Sequence, residues 1–255
     1  MRSRLWLTVA CLLATIGSAV AQKQGGTLRV THRDNPPSAS LLEEATISTL
    51  MPFMAVFNNL VVFDPASREN RLDRVVPDLA TSWALTDDER TLTFQLRDGV
   101  KWHDGKPFTS ADVKCTFDIA SGKVNGKLRK NPHKTWWFNI NDVATDGDSK
   151  VVFHLNPPQP SIMALFAAGF SPIYPCHVAA AEMRTHPIGT GPFKFFEFKQ
   201  NESIKLMRNP DYWKPGRPYL DAIEYTIIPN RATMLLAMAT GFDNVQTSMT
   251  DKSLL

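Results

Sequence analysis

The chain reads as a mixed α/β, or α+β, protein on three observations. Short runs of alternating polar and apolar residues are bounded by Asp-Gly and other glycine-bearing turns. Segments between them carry the apolar spacing and cap residues of amphipathic helices. Strands and helices follow one another without a regular βαβα order, an internal repeat or a low-complexity stretch, so the expected sheet is mixed.

The first residues come before any of these elements. Arg2 and Arg4 precede an apolar run over residues 5–16, which leads to Ala19-Val20-Ala21 with small residues where signal peptidase reads. Residues 1–21 are therefore expected to be a secretory signal peptide cleaved after Ala21. The run is shorter than the roughly 20 residues a membrane-spanning helix needs. Cys11 lies inside it, where lipid attachment would leave too little hydrophobic segment ahead, so the mature chain is expected to be soluble.

Composition narrows the partners. The formal net charge of +3 loses Arg2 and Arg4 with the leader, and near neutrality gives no electrostatic case for nucleic acid or anionic membranes. Hydrophobic content of 43% and charged content of 21% suit a globular chain of one large domain or two modest ones. Two cysteines remain, Cys115 and Cys176; an oxidising compartment allows a disulfide, and two buried thiols are the alternative.

Along the chain, residues 27–31 alternate as an edge-capable strand and residues 32–38 read as a loop. Over residues 48–60 the spacing of Leu50, Met54, Phe57 and Val61 predicts a helix with Pro52 in its first turn. Residues 91–97, two Asp-Gly turns and residues 101–103 predict a β-meander. Thr109 and Asp112 then form a capping-box pattern that opens a helix ending near Gly122. The basic stretch 122–132 reads as an exposed loop. Strands are expected at 139–145 and 151–155 around Asp146-Gly147, followed by a short helix through Ile162, Leu165 and Phe166. Strands at 193–198, 203–207 and 222–228 and a helix at 231–239 close the pattern.

No local signature of catalysis is present: there is no G-x-S-x-G elbow, H-E-x-x-H helix, paired C-x-x-C or phosphate-binding glycine loop. His177, Glu182 and His186 form the nearest metal-like grouping, but Pro187 ends any helix that would align them. Gly189-Thr190-Gly191 leads into a strand rather than a helix, which favours a tight strand entry over an anion loop. Trp83 and Trp102 sit in apolar context and read as core, whereas the adjacent Trp136 and Trp137, taken as a strand, would face opposite sides. The chain is expected to be no enzyme and to need no cofactor or metal.

Four runs, in order, carry a resemblance. They are Pro77-Asp78-Leu79-Ala80-Thr81-Ser82-Trp83, then residues 92–113 (LTFQLRDGVKWHDGKPFTSADV), then Pro187-Ile188-Gly189-Thr190-Gly191-Pro192-Phe193, and Arg208-Asn209-Pro210-Asp211-Tyr212-Trp213. Together they resemble the family 5 extracellular solute-binding proteins, the dipeptide, oligopeptide and nickel-binding group. The resemblance implies a type II periplasmic-binding-protein fold: residues 22–59 start a first lobe, 60–186 form its β-rich accessory subdomain, and 187–255 continue it, with the second lobe absent. It also implies a monomeric periplasmic component that hands di- to oligopeptides to an inner-membrane ABC permease. A nickel chelate or another non-peptide solute is the alternative ligand, and a truncated gene fragment without transport function the alternative status.

In this family extended peptides hydrogen-bond through their backbones to loop segments. Placing the helix at 48–60 against the family brings Glu43, Glu44, Ala45 and Thr46 to the ligand side. The backbone groups of Ala45 and Thr46 are the expected contacts, with Glu44 as a partner for a cationic ligand group. The alternative for Glu43 and Glu44 is a favourable charge at the helix N-terminus.

Overall fold

Alternating residues near both ends of the chain assemble one sheet. In a computed structural model describing residues 24–124, 127–241 and the backbone of 245–246, it has five strands. They are β1 (Thr27–His32), β8 (Phe193–Lys199), β9 (Ser203–Arg208), β10 (Ala222–Ile227) and β11 (Val245–Gln246), in the order β11-β1-β10-β9-β8. β8, β9 and β10 pair antiparallel, while β1 runs parallel to β10. β1 is not an edge strand, because β11 also pairs with it at Val30 and Thr31. The expected leader and its cleavage site lie outside the described residues.

The predicted helix at 48–60 is shorter. α1 covers Ile47–Phe53, a 3₁₀ turn follows at Met54–Val56, and Phe57 is extended. Pro52 sits near the end of α1, not in its first turn, and its missing N–H would leave the Ser48 carbonyl without its helical donor. His32 Nε2–H donates to that carbonyl instead, at 2.9 Å. Beyond the turn, the Val56 carbonyl accepts from Gly191 N–H at 2.9 Å, which takes the acceptor a continuing helix would use. Met54 faces outward and Val61 begins a strand, so the apolar spacing there joined two different elements.

The second sheet is antiparallel in the order β4-β5-β7-β6: β4 (Ala80–Leu85), β5 (Thr91–Leu96), β6 (Ile140–Asp146) and β7 (Lys150–Leu155). The predicted meander does not form. β5 pairs with β4 and β7, and Lys101 makes only an isolated bridge to Pro107. The Asp-Gly pairs turn the chain at positive φ, 74° at Gly99 and 88° at Gly105, and deliver it to α2 (Ser110–Ala120). The Asp112 carboxylate accepts from the Thr109 N–H at 2.9 Å, so the capping pattern marks the helix start as expected. Leu92, Phe94 and Phe153 alternate inward and meet Phe117 of α2 and Phe166 of α3 (Ile162–Ala167), with edge-to-face ring contacts near 5 Å.

β2 (Val61–Phe63) and β3 (Val75–Pro77) form a small antiparallel pair, and α4 (Arg231–Ala239) is capped by Asn230, whose side chain accepts from Thr233 N–H at 3.0 Å. Trp102 and Trp137 are buried. Trp136 and Trp137 lie in a 3₁₀ turn, not a strand, and only Trp137 is fully enclosed. Cys115 of α2 is joined to Cys176 in a disulfide with Cα atoms 5.8 Å apart, which decides between the two readings of these cysteines.

Two apolar cores result. One gathers Leu79, Phe94, Phe117, Phe153 and Phe166 around the four-stranded sheet; the other gathers Leu41, Phe53, Phe57, Ile204 and Leu206 beneath the five-stranded sheet. The four sequence runs meet between them. Asp78 accepts from Lys214 Nζ at 2.6 Å and from Asn58 Nδ2 at 2.9 Å. Trp213 lies under both Arg97 and Lys214, and its Nε1–H reaches Asn58. His103 Nε2–H donates to the Gly191 carbonyl at 3.0 Å while its Nδ1 accepts from Gly189 N–H at 3.3 Å. The glycines are needed for close approach: a Cβ at Gly189 would lie 1.9 Å from the Val56 carbonyl oxygen, and one at Gly191 2.5 Å from that of Ala55.

Candidate ligand-binding face

Between β1 and α1 the chain dips into the second core and resurfaces at residue 45. Residues 38–44 are buried, whereas Ala45, Thr46 and Ile47 are exposed. The descent is fixed by Tyr174, whose hydroxyl receives the Leu42 N–H at 3.3 Å and lies 3.4 Å from Ser40 Oγ. Its ring stacks on Phe57 with centroids 5.2 Å apart. Burial pushes the Tyr174 phenol up to about 12, so it stays a neutral donor and acceptor at any physiological pH.

The two glutamates are held within the chain. Glu43 accepts from Nε–H and one Nη–H of Arg184, at 2.6 and 2.8 Å, together with the Arg129 N–H. Burial by itself would raise its carboxyl, but the Arg184 and Arg129 donors outweigh that and hold it below the usual range. Glu44 accepts from Ser38 Oγ–H at 2.8 Å and from the Arg129 guanidinium at 3.1 Å. Its carbonyl accepts from His133 Nε2–H at 3.3 Å, and burial lowers the His133 pKa so that the ring stays neutral. That ring packs between Trp136 and Phe170, 4.5 and 4.7 Å away. Neither glutamate falls in the first turn of α1, so the helix-terminus reading does not describe them, and the cation that Glu44 meets is the chain's own Arg129.

The exposed pair differs. Thr46 has extended backbone, φ −107° and ψ 147°, and its hydroxyl lies 2.9 Å from Ser48 Oγ. The N–H and C=O of Ala45 and the N–H of Thr46 have no hydrogen-bond partner among the described residues. From this edge Ile47, Met51 and Met54 follow at spacings of four and three on the outer side of α1 and its 3₁₀ extension; Ile47 is 57% and Met54 52% exposed. Met51 and Met54 form one wall of a groove of about 840 Å³, with Val62, Phe63, Ala168 and Gly169 among its other lining residues. Gly169 lets that wall close on Leu50, whose side-chain carbons would lie 3.0 Å from an added Cβ.

The structure thus brings Glu43, Glu44, Ala45 and Thr46 into one short segment with two roles, two buried anchors and two exposed backbone donors. Arg129, His133, Tyr174 and Arg184, which fix that segment, carry no local sequence signal for this role. The only available hint was the basic loop at 122–132, whose charge faces two acids more than 80 positions away. His177 contacts Asp104 at 2.7 Å, and among the described residues no group of three or more His, Cys, Asp or Glu is placed to hold a metal ion.

Comparison with known proteins places this geometry. The family described as Bacterial extracellular solute-binding proteins, family 5 Middle matches residues 74–244. A putative ABC transporter peptide-binding protein of Brucella ovis is 35% identical over 193 residues, covering 72% of this chain and 34% of that protein. The glutathione-binding protein GsiB of Escherichia coli is 27% identical over 225 residues, 80% of this chain and 43% of that protein. The periplasmic binding protein DppA of Helicobacter pylori, solved with the peptide STSA, superposes with a TM-score of 0.79 at 28% identity, over 89% of this chain and 47% of that one. The oligopeptide-binding protein AppA of Bacillus subtilis, solved with a nonapeptide, gives 0.77 at 27%, over 87% and 44%. The chain thus spans between a third and a half of the length of these relatives, and it belongs to the bacterial extracellular solute-binding proteins, family 5.

Proposed function

We propose that this chain forms the first lobe of a periplasmic peptide-binding component of an ABC importer, exported by residues 1–21 with cleavage after Ala21. In this reading residues 22–59 and 187–255 build the lobe and 60–186 its accessory subdomain. It acts as a monomer, performs no chemistry, does not engage nucleic acid, and passes a di- to oligopeptide to an inner-membrane permease. Membership of the family and the peptide-binding relatives support it.

The observation that carries the ligand class is the exposed backbone at Ala45 and Thr46, extended at Thr46, where the Ala45 N–H and C=O and the Thr46 N–H have no partner among the described residues. Ala45 offers its own N–H and C=O, the pattern with which a strand edge receives a peptide backbone whatever its side chains. Glu43 and Glu44 act from behind, fixing the loop so that little ordering entropy is lost on binding.

Calorimetry with di- to oligopeptides and with a nickel–histidine chelate tests this. Peptide binding is expected, and Ala45→Pro, which deletes one donor, is expected to weaken it about tenfold, the worth of roughly 1.4 kcal/mol, with an unchanged melting temperature. Binding of the nickel chelate and of no peptide overturns the proposal, as does full affinity in Ala45→Pro.

A further inference from the structure

The stripe and groove beside the backbone edge have a chemistry of their own. Ile47 and Met54 present apolar side chains to solvent at 57% and 52% exposure; Ile47 stands next to the Ala45–Thr46 edge, and Met51 and Met54 line the 840 Å³ groove. Apolar surface left at a concave site gains most when an apolar group covers it. Among the described residues that line it, the groove holds no charge free to meet a ligand. Its ionisable lining residues with opposite charges, Asp78 and Lys214, are joined at 2.6 Å, and Glu43 and Glu44 are taken by Arg184 and Arg129. A charged ligand side chain entering here would exchange hydration for neutral partners such as Asn70, with no opposite charge to compensate it. The wall is fixed at its base, since the Tyr225 hydroxyl donates to the Met51 carbonyl at 3.2 Å, while the methionine side chains adapt to different apolar shapes.

We infer that this face selects peptides carrying an uncharged apolar side chain next to the backbone held by Ala45 and Thr46, and that it accepts leucine, methionine and phenylalanine alike. The inference rests on the peptide reading above and adds its specificity. The occupant is a ligand side chain rather than a flat protein partner, because the surface is a concavity whose Met51–Met54 wall lies on the helix, and its 3₁₀ extension, that the unpaired backbone edge leads into.

The test is calorimetry with tetra-alanine peptides in which each position in turn is replaced by Leu, Met, Phe, Lys or Glu, against the wild-type protein and Met54→Glu. Met54 is exposed, so the substitution leaves folding intact, and Ile47→Glu serves as a second, independent variant. At one position of the peptide the three apolar residues are expected to bind at least about tenfold tighter than Lys or Glu. In either variant the gap between Leu and Lys is expected to close while Glu stays disfavoured. Wild-type affinities within twofold across the series, or a ranking unchanged in both variants, overturn the inference and leave the peptide reading standing. If no peptide of the series binds, both fall together.

Discussion

His103 offers the sharpest quantitative test of how the sequence runs are held together. Its ring donates from Nε2 to Gly191 and accepts at Nδ1 from Gly189, an arrangement only the neutral tautomer can make. Burial first, and the nearby Lys194 cation second, depress its pKa from 6.5 to about 4, against the opposing pull of the Gly191 hydrogen bond and Asp104. Between those two values the unfolded chain binds more protons than the folded one, so stability rises with pH across the window. The contribution is complete above about 6.5 and is lost as pH falls toward 4. Each pH unit of the gap corresponds to about 1.36 kcal/mol, and at pH 4, with the folded ring half protonated, the loss amounts to about 3 kcal/mol. His32 and His133 are depressed by burial in the same direction, so the measurement is a difference. Urea unfolding followed by tryptophan fluorescence is run between pH 7.5 and 4 on the wild type and on His103→Gln, which keeps a donor but cannot titrate. The wild type is expected to lose about 3 kcal/mol more than the variant across that range. The variant itself starts about 1 kcal/mol lower at pH 7.5, for the Gly189 N–H left without its acceptor. Stability curves that run parallel in pH would show that His103 does not stay neutral in the fold and would refute the reasoning.

Three further outcomes follow from the geometry. Gly189→Ala places a methyl against a backbone carbonyl that cannot move aside, and is expected to cost about 3 kcal/mol in chemical denaturation; a stability within 0.5 kcal/mol of wild type, a rough limit for a harmless substitution, would deny the close approach. Replacing both Cys115 and Cys176 by serine opens a loop of 61 residues and is expected to lower stability by about 4 kcal/mol on the chain-entropy estimate, measured as the urea midpoint without reductant. Glu43→Gln removes the charged acceptor of two Arg184 N–H groups and, with Arg184 still reached by solvent, is expected to cost about 2 kcal/mol. Because the Glu43 carboxyl is held low, its contribution is present above the ordinary carboxylate range and is lost only as pH falls below it, so the variant should lack part of the wild-type acid transition; an unchanged acid transition would remove Glu43 from the anchor.

The sequence by itself determined the local elements. The Asp-Gly turns, the Thr109–Asp112 cap and the alternation in β5, β7 and β10 are short-range chemistry, and each lies where the residues indicated. It also determined the family, because four ordered runs are specific without any knowledge of where they meet. Tertiary structure decided the rest. The helix drawn through residue 60 goes no further than the 3₁₀ turn at Val56, whose carbonyl, the acceptor that Leu60 N–H would need, is claimed by Gly191, a residue 135 positions away. β5 pairs with β7, which lies beyond α2 in the chain, rather than with residues 101–103, and no local pattern reports a strand's partner. At the candidate site the sequence pointed to residues 43–46 but not to the different settings of the two glutamates and the two residues after them. Whether Glu44 meets a ligand cation or Arg129 depends on which distant loop folds over it, and a buried carboxylate takes whichever cation the packing supplies.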